Sequence, residues 1–192
     1  MNTNIMISGV GGQGTLLASR ILGRVLLGQG YDVKLSEVHG MSQRGGSVVT
    51  YVKFGEKIYS PIVDEGEADF ILAFELLEAA RYLSHLRPGG KIIVNTQQID
   101  PMPVITGAAK YPENLVQKLR DAGADVIALD ALSLALEAGN AKAVNVVLIG
   151  VLSTILPIEE AAWREAIEAL VPAKLLELNL RAFDLGAAAA KQ

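Results

Sequence analysis

Apolar and polar positions repeat along this chain with two different periods, and the switches between them mark out its elements. Asn4–Ser8 is a short run, apolar on both faces, and predicts a first strand. From Thr15 to Gln29 the apolar residues Leu16, Leu17, Ile21, Val25 and Leu26 recur at helical spacing. Gly23 and Gly28 in that helix permit close approach to a sheet, and Gly30 ends it. Asp32–Val38 predicts a second strand. Ser47–Phe54 and Lys57–Ser60 flank Gly55-Glu56, which reads as the turn of a β-hairpin excursion near residues 47–60. The βα rhythm then returns. A strand is expected over Asp69–Phe74, a helix over Glu75–Leu86 ended by Pro88-Gly89-Gly90, and a strand over Lys91–Asn95. An extended, proline-containing connection runs from Thr96 to Pro112. Glu113–Ala122 predicts a helix, Asp125–Leu129 a strand and Asp130–Ala138 a helix. Pro157 separates helices over Ala143–Leu156 and Ile158–Leu170, and Pro172 opens a last helix to about Leu185.

Strands separated by helices predict an α/β fold with a Rossmann-like, mostly parallel sheet and helices on both faces. At 192 residues the chain suits a single domain, taken as 1–186, with 187–192 a disordered small-residue tail. Hydrophobic residues make up 51% and charged residues 20%, which marks an ordered globular chain; the buried sheet accounts for much of the apolar excess. Net charge is −4, and no basic run tracks a phosphate backbone, so nucleic acid is not an expected partner. The longest apolar stretch, Ala143–Leu156, is too short and too interrupted to span a bilayer. No signal peptide is read at the start, so a cytoplasmic location and no membrane are expected.

The absence of cysteine excludes disulfides, a thiolate nucleophile, and thiolate-held zinc or iron–sulfur clusters within this chain. Two distant histidines do not make a zinc site. Asp64, Glu65, Glu67 and Asp69 lack the alternation of a calcium loop and read as a solvated connection. No Gly-x-Ser-x-Gly elbow occurs. His85 suits the C-terminal end of a helix. Lys174, Glu177 and Arg181 share a helical face and read as surface or docking residues, and Asn145 and Asn179 as caps or cross-links between helices.

Two segments carry chemistry. Gly9-Val10-Gly11-Gly12-Gln13-Gly14 follows the first strand and opens a helix, the context of a phosphate-binding glycine loop. Gly9 permits the tight turn, Gly11 lets backbone approach an anion, and Gly14 allows close helix–strand contact. Free amides and the Thr15 hydroxyl add donors. Candidate cofactor-binding residues are therefore Gly9, Gly11, Gly12, Gln13, Gly14 and Thr15, joined by Ser42 and Gly45 from the second segment. That segment, His39-Gly40-Met41-Ser42-Gln43-Arg44-Gly45-Gly46, places His39, Gln43 and Arg44 as auxiliary catalytic candidates: an imidazole that titrates near neutrality, an amide, and a guanidinium fork for an anion. No self-sufficient catalytic set is present. Glu37 stands where a ribose-binding acid would, so a stand-alone NAD- or FAD-dependent oxidoreductase is one alternative. A non-catalytic assembly domain, whose glycines serve packing alone, is another.

These two segments, with Pro88-Gly89-Gly90, Ile99-Asp100-Pro101-Met102-Pro103-Val104 and Asn179-Leu180-Arg181-Ala182-Phe183-Asp184-Leu185-Gly186, resemble the gamma-type small component of the 2-oxoacid:ferredoxin oxidoreductases. Within that family the indolepyruvate branch is the nearest. The resemblance covers almost the whole chain. It implies a Rossmann-like domain that is inactive alone and works beside a large subunit carrying thiamine diphosphate, Mg2+ and [4Fe-4S] clusters. It also implies an aryl pyruvate substrate, coenzyme A as acyl acceptor, and ferredoxin as electron acceptor.

Overall fold

The computed structural model describes residues 2–40 and 45–191. Its centre is a six-stranded sheet: β1 (Thr3–Val10), β2 (Asp32–His39), β3 (Ser47–Gly55), β4 (Ala68–Ala73), β5 (Leu86–Asn95) and β6 (Asp125–Leu129), in spatial order β2-β3-β1-β4-β5-β6. β1, β4, β5 and β6 are parallel, while β3 is antiparallel to both of its neighbours, β1 and β2. Every strand but β3 therefore points the same way, and the expected mostly parallel α/β sheet is present.

The hairpin is not where the turn signal put it. β3 uses one edge for β1, pairing from Thr3↔Phe54 to Val10↔Ser47, and the other for β2, pairing from Asp32↔Gly55 to His39↔Val48. No edge of β3 is left for Lys57–Ser60, which is irregular; Ile58 N instead donates to Asp32 Oδ2 at 2.8 Å. The hairpin is β2–β3, and its connection is the second glycine-rich segment.

Helices cover both faces. α1 (Thr15–Gly28), α5 (Ala131–Ala138), α6 (Val144–Ser153), α7 (Glu160–Leu170) and α8 (Ala173–Ala189) pack with Ile5, Ile7, Val52 and Leu72 on one face. α2 (Leu76–Arg81) and α4 (Leu115–Asp121) pack with Met6, Val49, Ile71 and Ile92 on the other. α6 has no polar face, since Val144 through Leu152 are all buried. It lies against α8 at two glycines: a Cβ at Gly150 would overlap Phe183 O, and one at Gly186 would overlap Val147 O.

Other boundaries shift for local reasons. The helix expected over Glu75–Leu86 ends at Arg81 and gives way to a short 3-10 turn, Leu83–His85, so Pro88-Gly89-Gly90 lies within β5 rather than after a helix. One short helix, α3 (Met102–Ile105), sits inside the connection expected to be extended. α8 runs to Ala189, so it takes up the first part of the segment expected as a disordered tail; the small side chains that suggest disorder are also good helix formers.

Candidate functional site

The carboxyl ends of β1, β4 and β5 form a rim, and both glycine-rich segments reach it. α1 and α2 leave β1 and β4 on opposite faces, so the gap between these two strands is the topological switch point where open α/β sheets bind ligands. The loop Val10–Gly14 turns through left-handed conformations at Gly12 (φ 105°) and Gly14 (φ 85°). Gly9 is packed rather than open: a Cβ there would lie 3.0 Å from both Gln13 Oε1 and Phe74 Cβ. The two segments are joined by backbone, Gly11 N donating to Gly46 O at 2.8 Å and Gly45 N to Gly11 O at 3.3 Å.

The side chain of Gln13 closes the switch point. Its Oε1 accepts from Val10 N at 2.7 Å and its Nε2 donates to Phe74 O at 3.0 Å. The same Phe74 carbonyl accepts from Nδ2 of the fully buried Asn95 at 3.1 Å, whose Oδ1 accepts from Ala131 N at the start of α5. A chain of amides thus stitches the first loop, β4, β5 and α5 across the rim. Asn145, on α6, donates to Gly14 O at 3.2 Å and ties a fifth element to this network. Asn95 was not singled out by sequence, because one buried asparagine at a strand end gives no spacing signal; Asn145 was expected as a cap or cross-link, and it cross-links.

Two cavities flank the loop. One of about 350 Å³ is lined by Gly11, Gly12, Gly14, Thr15, Leu16, Glu37, His39 and Val48. It brings together the loop, the first turn of α1 and the end of β2. The amides of Gly12, Gly14 and Thr15 have no acceptor among the described residues. His39 is exposed, its Nδ1 3.0 Å from Gly40 O. The other cavity, about 440 Å³, lies on the other side of Gly12–Gly14. Leu17, Ile99, Leu132 and Val144 line it with the polar ends of Gln97, Lys142 and Asn145. Lys142 is its one ionisable side chain among the described residues. A larger groove, about 600 Å³, runs along α1 and α7 past Leu35, with Arg20, Arg24 and Glu165 among its lining residues, but neither glycine-rich segment contributes to it. Ser42, Gln43 and Arg44, with Met41, lie outside the described residues; the segment that bears them leaves β2 at His39 and returns at Gly45.

α2 anchors both walls of the rim. Glu75, 1% exposed, caps α2 by accepting from Glu78 N at 2.9 Å, and also accepts from Ile99 N and the Tyr111 hydroxyl. Burial and then the hydrogen bond to the Glu75 carboxylate push the Tyr111 phenol well above its usual range. Glu78, also buried, accepts from Ser47 Oγ at 2.5 Å and from Arg81 Nε at 3.1 Å, and Tyr82 Oη lies 3.0 Å from Ser47 Oγ. Ser47 is the first residue of β3, so Glu78 fixes the return of the second glycine segment. Elsewhere His85 sits in the 3-10 turn, edge-on to Tyr82. Asn179 bonds Leu175 O within α8. Lys174, Glu177 and Arg181 make no ion pair among the described residues.

A plain dinucleotide site is not reproduced. β3 stands between β1 and β2, so Glu37 is two strand spacings, roughly 10 Å, from the glycine-loop strand rather than one. Gln13 also spans the gap a pyrophosphate would enter. The family pattern, by contrast, fits the whole chain: the model of the pyruvate ferredoxin/flavodoxin oxidoreductase family matches residues 4–189. The chain belongs to this family. Pyruvate ferredoxin/flavodoxin oxidoreductase relatives include the indolepyruvate oxidoreductase subunit IorB of Thermococcus kodakarensis, 48% identical with 98% of this chain and 96% of the relative covered. The subunit of the same name from Pyrococcus horikoshii is 45% identical over the same shares. Among solved structures, the pyruvate oxidoreductase subunit PORC of Thermotoga maritima superposes with a TM-score of 0.76 at 19% identity, covering 97% of this chain and 96% of that one. It shares the fold. No helix among the described residues is long and apolar enough to cross a membrane.

Proposed function

We propose that this chain is the small subunit of a 2-oxoacid:ferredoxin oxidoreductase that acts on indolepyruvate or a similar aryl pyruvate. The reaction joins the oxoacid and coenzyme A, giving the aryl-acetyl thioester, carbon dioxide, a proton and two electrons that pass to ferredoxin. The observation that carries this reading is near full-length identity of 45–48% to subunits named for indolepyruvate oxidation.

The chain does not itself fit the redox groups of such an enzyme. It has no cysteine for an iron–sulfur cluster, and no group of three His, Cys, Asp or Glu among the described residues suits a metal. Thiamine diphosphate, Mg2+ and the clusters belong on this reading to the large subunit, and the lone small subunit is inactive. What this chain supplies is a shaped, polar wall. The amides of Gly12, Gly14 and Thr15 at the start of α1 favour an anionic group, and Lys142 adds a cation beside apolar surface from Leu17, Ile99 and Leu132. His39 and Gly45 stand where the second glycine segment leaves β2 and returns, and Ser42, Gln43 and Arg44 are the further candidates in the sequence between them. Gly9, Gly11 and Gln13 hold its shape.

The test is to co-express the chain with the large subunit and to follow viologen reduction by indolepyruvate with and without coenzyme A. Activity that needs both chains and coenzyme A is expected, with Arg44→Ala lowering turnover or raising a KM. Absence of complex and activity with a cluster-loaded large subunit would overturn the reading.

A further inference from the structure

One carboxylate oxygen closes the long connection between β5 and α4. Glu75 Oε1 accepts both from Ile99 N at 3.0 Å and from the Tyr111 hydroxyl at 2.5 Å. Residues 99–111 thus leave and re-enter the fold at one buried point, as an Ω-loop. From Pro101 to Ala109 this loop has no charged side chain, and Thr106 is its only polar one. Its backbone is satisfied from within: Val104 and Ile105 amides donate to Pro101 O, Thr106 to Met102 O, Gly107 to Val104 O and Ala109 to Pro103 O. The Thr106 hydroxyl also turns inward, to Met102 O at 3.0 Å. Two prolines and this bonding fix the tip before anything binds, which lowers the ordering cost of association. On the tip stand Met102 and Ile105, one turn apart on α3 and 66% and 65% exposed.

We propose that this tip is a docking epitope that seats Met102 and Ile105 in an uncharged, apolar pocket of the large oxidoreductase subunit; the identity of that partner rests on the proposed function. Lack of charge is the mark of an interface core, where a desolvated ion is costly, and methionine is enriched there. A second copy of this chain meeting tip to tip would bury only the two side chains from each, roughly 500–600 Å² in total, well short of the ~1,000 Å² a stable interface needs. A large subunit wrapping the rim supplies the remainder. Ile99, at the base of the loop, lines the 440 Å³ cavity beside Gly12–Gly14, so a partner holding the tip also roofs that cavity.

The test compares the affinity of the purified large subunit for the intact chain and for Met102→Glu/Ile105→Glu, with thermal unfolding of each chain as the folding control. Both side chains face solvent, so an unchanged Tm and at least about a 30-fold weaker Kd are expected. Leu27→Glu, equally exposed but at the far end of α1, is expected to bind as the unaltered chain does. Intact chain that binds while the double variant binds equally well would overturn this inference alone. Loss of affinity in Leu27→Glu as large as in the double variant would overturn the assignment to the tip. Intact chain that does not bind the large subunit would overturn the proposed function and this partner together. Self-association of the isolated chain that the double variant abolishes would assign the tip to a second copy instead.

Discussion

Gln13 and Phe74 are joined across the switch point by a hydrogen bond of 3.0 Å from a side-chain amide to a backbone carbonyl, with the other end of the amide accepting from Val10 N. A glutamine can do both at once because its head carries a donor and an acceptor. Gln13→Glu keeps the shape and the acceptor but sets a carboxylate oxygen against Phe74 O. A loss of about 1–3 kcal/mol in denaturant unfolding is expected, with faster hydrogen exchange at the Val10 amide. Unchanged stability would show that the crevice is open to solvent rather than closed by this side chain.

Gly12 and Gly14 both have positive φ but differ in surroundings. Nothing lies within 4 Å of a Cβ on Gly12, whereas one on Gly14 would sit 2.6 Å from Asn145 Nδ2. Gly12→Ala is expected to cost about 1 kcal/mol, the backbone term alone. Gly14→Ala is expected to cost more, and Asn145→Ala in the same chain to recover part of the excess. A double-mutant cycle with no coupling would overturn that account.

The crossing of α6 and α8 tolerates no methyl group. Gly186→Ala sets a Cβ into Val147 O and Gly150→Ala into Phe183 O, in both cases against backbone that is itself packed. Each substitution is expected to destabilise by about 3 kcal/mol or more, read as a large fall in Tm.

Asp130 caps α5, accepting from Ser133 N at 3.0 Å and from Ser133 Oγ at 2.6 Å; these bonds, the hydroxyl's first, hold its carboxyl below the usual range. Because the folded value is the lower one, this stabilisation is present above the unfolded carboxylate pKa, near 4, and is lost as pH falls through the folded value. Asp130→Ala is expected to cost about 1 kcal/mol at pH 7, and the difference from the unaltered chain to shrink toward pH 3. A cost independent of pH would show that the carboxylate's charge has no part in the cap.

Much of this was legible in the chain itself, for definable reasons. β1, the glycine loop and α1 announce themselves because the change of period, the glycines and the following apolar stripe agree. β6, α5 and α7 are similarly plain. Gly55-Glu56 misleads because a two-residue turn signal says nothing about whether a strand still has a free edge, and β3 had none. Gly150 reads as an interruption of an apolar stretch, yet it is the point where two helices touch. That contact spans residues far apart in sequence, and no local pattern encodes it. At the site, the glycine loop is visible from spacing, whereas the acids that brace it, Glu75 and Glu78, look like ordinary helix-surface charges three residues apart. Their burial depends on Tyr111 and Ser47, each more than thirty positions away.

The burial of α6 on every side also bears on how the chain reaches its fold. α6 emerges from the ribosome well before α8, the element that covers its outer side. During that interval the nine residues Val144–Leu152 can pack on the sheet, α1 and α5, but the face that α8 later covers is open. Completion of the domain therefore waits on its last helix, and nascent chains are most prone to aggregate or to recruit a chaperone in the window between these two helices. Slow synthesis across Pro157–Pro172 would lengthen that window, and the yield of folded chain is where its effect would be seen.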